Sequence, residues 1–167
     1  MANTDFPGGY EPIRYEGTED MACETATLSD TNAAVYYNDI LEMHTDGYAR
    51  VLGSADPVKV LGIAAEYVAA NTGGAVKYYP AKGLLMRAQV DDDAIDGQED
   101  MDLTYKPLLT TGDTTTKRSK QEIDGSESHA TDYLVLIRRV AESRTSADNA
   151  LGTNVTVECV FNPTLIK

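Results

Sequence analysis

Residues 62–79, GIAAEYVAANTGGAVKYY, support two incompatible readings. Val58, Leu61, Ala65 and Val68 recur at helical spacing, and the alanines favour a helix. Asn71-Thr72-Gly73-Gly74 punctuates the run like a turn, and Ala75–Tyr79 beyond it alternates like a strand. A helix from Asp56 to Ala70 would start well at Pro57 but would carry Gly62 inside, at about 1 kcal/mol relative to Ala. The next residues, AVKYY, PAKG and LLMRAQV, read as strand, four-residue turn and strand. The sheet reading is the one adopted. It predicts that 75–79 and 84–90 pair as an antiparallel hairpin around Pro80–Gly83.

The same punctuation recurs on both sides. Val35, Tyr36, Tyr37, Ile40, Leu41 and the later GYARVLG read as short strands broken at Asn38-Asp39 and Asp46-Gly47. Near the C-terminus, DYLVLIRRVAES and NVTVECVFN read as strands, with Val155, Val157, Cys159 and Phe161 on one face and Thr156 and Glu158 on the other. Residues 110–132 are rich in Thr and Ser and nearly free of large apolar side chains, which predicts a long exposed loop. Residues 1–22 hold Phe6, Tyr10, Ile13 and Tyr15 without either period, which predicts an extended N-terminal arm ahead of a single β-rich domain, 23–167.

Composition narrows the function classes. The 167 residues are 42% hydrophobic, enough for one real core. Ten Tyr stand against two Phe and no Trp, which suits half-buried faces. The formal charge of −13 repels phosphate backbones, so direct nucleic-acid binding is not expected. No apolar run approaches the roughly 20 residues of a membrane helix. Nor do residues 1–20 contain a charged-then-apolar leader, so synthesis in the cytoplasm is expected. Cys23 and Cys159 lie far apart, without a CxxC or a nearby His pair, and are expected to be buried, unpaired thiols.

Catalytic and metal motifs are sparse. There is no Walker loop, GxGxxG, GxSxG or HExxH. His44 and His129 sit in polar, turn-like contexts, and adjacent Ser128-His129 near Asp132 rarely give relay geometry. The acidic run DDDAIDGQEDMD, 91–102, resembles a calcium loop only in composition. Placing Gly97 at position six puts Asp92 at one and Asp96 at five, but Ala94 at three and Leu103 at twelve. A solvated acidic turn is expected there, with Asp91, Asp92, Asp93 and Asp96 exposed. No cofactor and no metal are expected. The residues describe an acidic, mostly-β, arm-bearing domain that fits an assembly component better than an enzyme.

Three stretches resemble one family. MANTDFPGGYEPIRY, VLGIAAEYVAANTGGAVKYYP, and TTGDTTTKRSKQEID followed by VAESRTSADNALGTNVTVECVFN are similar to the decoration (cement) proteins on the outside of tailed-bacteriophage heads. The aspartates at 91–93 and Asn162-Pro163 depart from that pattern. The resemblance implies a mainly β fold, a small β-barrel or β-tulip with at most one or two short helices. It implies no catalysis, but clamping of major capsid protein capsomers against DNA pressure, on the outer virion surface. It also implies a homo-oligomer, a trimer first and a dimer next. Phe6, Tyr10, Ile13, Arg14 and Tyr15 of the arm are the expected capsid-binding residues, anchoring on a neighbour as the arm orders. A head-fibre or host-adhesion module would use the same architecture.

Overall fold

The computed structural model describes residues 5, 7–17, 20–54, 59–91, 95, 97–141 and 149–166. Phe6, Asp92, Asp93 and Asp96 lie outside them. The protein is mainly β, with a closed barrel joined to a six-stranded sheet. The barrel takes β2 (Glu24–Leu28), β3 (Ile40–Met43), β4 (Ala49–Val51), β5 (Val60–Ala64) and β6 (Gly74–Pro80), in the order β2-β4-β3-β5-β6. The sheet takes β1 (Glu11–Tyr15), β7 (Leu84–Gln89), β8 (Thr104–Leu108), β9 (Glu122–His129), β10 (Val135–Val140) and β11 (Thr156–Phe161), in the order β1-β7-β11-β10-β8-β9. A single 3₁₀ turn, Gln98–Asp100, is the helical element among the described residues.

The opening stretch folds as β5, an irregular link and β6. Its ambiguity has a physical source, because β5 is buried on both faces. Val60 and Ile63 pack in the core beneath the sheet, while Ala64 packs inside the barrel. A strand covered on both sides reads as a continuous apolar run, which periodicity alone does not separate from a buried helix. Asn71, Gly73 and Gly74 take positive φ of 56°, 59° and 87°, so the turn forms where the sequence placed it. Gly62 is required by the strand pairing: a methyl there would overlap the Tyr79 carbonyl oxygen on β6.

The expected hairpin does not form. Both of its strands exist, but β6 pairs with β2 and β5 inside the barrel, whereas β7 pairs with β1 and β11 in the sheet. Pro80–Gly83 carries the chain from one body to the other, held by Ala81 N–H donating to Leu61 O at 2.8 Å. The strands feed different cores, Val76 and Tyr78 in the barrel and Leu84, Met86 and Ala88 beneath the sheet.

Two other expectations are corrected. Residues 110–132 are not one loop, because their second half is β9, paired to β8 along Glu122–His129. Only Ile123 of β9 is fully buried, so the strand carries almost no apolar signal. The first half is anchored by buried polar groups. Ser119 N–H donates to Tyr37 O at 2.8 Å, and Gln121 Oε1 accepts from Ile40 N–H at 2.8 Å. Nor do residues 7–15 stand apart as an arm. β1 pairs antiparallel with β7 from Glu11 to Tyr15, with a bulge at Ile13, and Tyr10 is wholly buried in the main core. An in-domain partner pairs one side of the strand along its length, so it does not wait for a neighbour to order it.

Candidate functional site

The N-terminal residues singled out by sequence divide sharply. Tyr10 is an internal anchor. Its hydroxyl donates to Glu122 O at 2.7 Å and its N–H to Asn38 O at 3.0 Å, and burial holds its phenol well above the ordinary range. Fully enclosed, it offers no surface to a partner, which corrects its expected role. Ile13 is half-buried at the bulge, Arg14 is exposed, and Tyr15 is half-buried. Burial, then Cys23, Glu24 and the neighbouring Tyr79 and Tyr78, push the Tyr15 hydroxyl up to about 12. Of the five named residues, the structure brings Arg14 and Tyr15 to one site.

That site is a cleft of about 730 Å³ on the outer face of the sheet. Arg14, Tyr15, Glu16 and Gly17 come from β1 and the turn after it, Leu85 from β7, Arg138 and Arg139 from β10, and Glu158 from β11. Strand alternation explains the set. Val157, Cys159 and Phe161 face the core, so Glu158 between them faces outward, as the sequence indicates. A register shift between Ile137 and Arg139 lets two consecutive arginines both reach the surface.

Outward here does not mean exposed. The Glu158 side chain is only 6% accessible, with Arg139 Nε donating to Oε2 at 2.8 Å and Arg87 Nη2 lying 3.9 Å from Oε1. Across the strands, Glu11 stands opposite Arg87, Arg87 opposite Glu158, and Glu158 opposite Arg139, a ladder of alternating sign. Arg138 lies 3.8 Å from Glu16 and 3.6 Å from Asp102. Arg14 has no ion pair among the described residues. The cleft can receive an anionic group by charge-assisted hydrogen bonds. Among the described residues that line it, none is a nucleophile beside a base.

No local signal marks this cleft in sequence, because its arginines lie at 14, 138 and 139 and meet only through strand order. The two histidines are elsewhere, His44 half-buried and His129 exposed. His44 Nδ1 lies 3.2 Å from Asp46, and His129 Nδ1 lies 3.2 Å from Asp132. Ser128 points to the opposite face of β9 from His129, where it meets Tyr105, so the Ser128–His129–Asp132 run forms no relay. Among the described residues, no three His, Cys, Asp or Glu side chains gather as metal ligands. In the acidic run, Asp91 is half-buried and accepts Gly125 N–H at 3.1 Å, rather than standing exposed as expected. Cys23 and Cys159 are both free, but Cys23 is exposed, which corrects the expectation that both are buried. No protein-family model, curated protein or solved structure matches the chain.

Proposed function

We propose that this chain is a decoration protein. It binds the outer surface of an assembled tailed-bacteriophage head and cements major capsid protein capsomers against the internal pressure of DNA. The N-terminal and C-terminal sequence resemblances support this reading. The observation that carries it is the arginine-lined cleft, a built cationic face on a chain of net charge −13. It meets the strand that carries Arg14 and Tyr15, two of the N-terminal residues expected to bind the capsid. A rigid sheet holding fixed guanidinium groups is suited to side-chain docking on a protein lattice, because little is ordered on contact. The bound form is proposed to be a homotrimer on local threefold axes, with a dimer as the next choice.

The test is sedimentation of the purified protein with expanded heads that lack it, followed by imaging. Many copies at repeated lattice positions, together with higher thermal resistance of the heads, are expected. R14E/R138E should lose most of the occupancy while keeping the wild-type circular dichroism. Failure to co-sediment at micromolar protein overturns the reading, and a few copies at one vertex would assign a fibre instead.

A further inference from the structure

The 730 Å³ cleft is one end of a longer feature. A second cleft of about 210 Å³ is lined by Arg87 and Arg118, and a third of about 470 Å³ again by Arg118. The second and third share Glu11, Asn38 and Arg118, so they adjoin. The first and second meet at the Arg87–Glu158 pair, one member lining each. The series flanks β1 and runs from the outer sheet face to the barrel at Ala64 and Ala65. Along it lie Arg14, Arg87, Arg118, Arg138 and Arg139, five of the chain's seven arginines.

We infer that this series is one groove that binds an extended polypeptide segment bearing two carboxylates, supplied by a partner protein. The inference rests on the docking role proposed for the same face and names the chemistry that face takes.

Charge complementarity selects the occupant. The groove sets five arginines against Glu11, Glu16 and Glu158, with Asp102 also beside Arg138, and leaves the guanidinium groups of Arg14 and Arg118 without an ion pair among the described residues. Two monoanionic carboxylates match those two guanidinium groups. A phosphate chain carries more charge per length and would meet the fixed Glu158, whose two oxygens are already occupied by arginine. Donors remain at both ends: Arg14 and Arg118 have no ion pair among the described residues. In the middle, Arg87 Nε is buried without a hydrogen-bond partner. Leu85 in the floor of the first cleft and Tyr37, 44% exposed, beside the third give aliphatic and aromatic contacts between the charges. The rest of the chain is acidic and repels such a partner at long range. That field is screened beyond roughly 8 Å at physiological salt, so pairing inside the groove decides binding.

The probe is a fluorescently labelled, acetylated ten-residue peptide with two glutamates in a Gly/Ser background, titrated with the full chain by anisotropy. A glutamine counterpart and inorganic tripolyphosphate serve as comparators. Saturable binding of the glutamate peptide is expected, with the glutamine peptide about tenfold weaker. R14Q and R118Q should each weaken binding by about threefold, and together by about tenfold, without changing the melting temperature, since both side chains are exposed and unpaired. Equal binding of the two peptides, stronger binding of tripolyphosphate, or an R14Q/R118Q protein that binds normally overturns the inference. Heads decorated normally by R14Q/R118Q sink the groove and leave the decoration reading standing. Peptide binding without head binding does the reverse.

Discussion

The barrel and the sheet meet along β3 and β5, yet they solve the packing problem differently. Inside the barrel, the described buried set is small and includes Ala26, Ala49 and Ala64. Beneath the sheet the set is far larger, with Tyr10, Leu84, Met86, Tyr105, Ile137 and Phe161 among it. Leu28, Leu41 and Tyr78 are the barrel set's largest members, and closure uses up the barrel's edges. An open sheet covered on one side keeps its other face free, and in this chain that face holds the arginines. The larger core stabilises the molecule, and the same sheet presents the surface available to a partner.

Tyr10 gives the hardest test of that contrast. Replacing it with Ala removes a wholly buried ring and its bond to Glu122 O, and should cost about 3–5 kcal/mol in chemical denaturation. A loss below about 1 kcal/mol would mean that the N-terminal strand is a loose appendage after all. The same argument predicts that removing residues 2–20 destabilises the whole sheet, because it takes away Tyr10 and β1 together.

The barrel is broken at Gly62. G62A drives a methyl into the Tyr79 carbonyl oxygen and should cost about 2–3 kcal/mol. Hydrogen exchange should then rise in β5 and β6 before β7 and β11. Uniform acceleration would show that the two bodies open as one unit.

Asp39 sits at their junction, where it accepts Tyr36 N–H at 2.8 Å. Burial raises its carboxyl to about 6, against opposing hydrogen bonds from Ser119 and Tyr36. The folded value exceeds the unfolded one, so the folded state favours the protonated acid. Its contribution to stability is therefore full below about pH 4 and is lost as pH rises through about 6. D39N should stabilise the protein by about 1–2 kcal/mol at pH 7 and by nothing measurable at pH 4. A difference independent of pH would refute this.

The thiols give the smallest effect. Cys23 should label in the folded protein, and Cys159 only after denaturation, since burial and then Glu158 raise its thiol well above the usual range. Labelling Cys23 alone should shift the melting temperature by less than about 2 °C.

Local chemistry was legible in the sequence, and partnership was not. The Asp46-Gly47 turn between β3 and β4, the alternation of β11 and the turn at 71–74 depend on residues close in the chain. Which strand lies beside β6 depends on two competing cores, and the turn at Pro80–Gly83 serves either a hairpin or a crossing. β9 has no sequence signature because Gly125, Ser126 and Ser128 give an edge strand no apolar stripe. Tyr10 reads as an aromatic to be buried, but a sequence does not say in whose core. The arginine cleft is wholly a product of strand order.

The Pro12 position in β1 has a consequence for crowding. β1 is one border of the sheet, and a proline with no amide hydrogen, next to a bulge at Ile13, makes it a poor template for another strand. At the opposite border, Asp91 N–H already occupies Ile123 O, and the charged Glu127 lies further along β9. Copies brought close together are thereby discouraged from zipping edge to edge into fibres. Association is left to side chains, whose ion pairs loosen as salt rises, so an attachment built on this protein can be reversed by ionic strength without unfolding it.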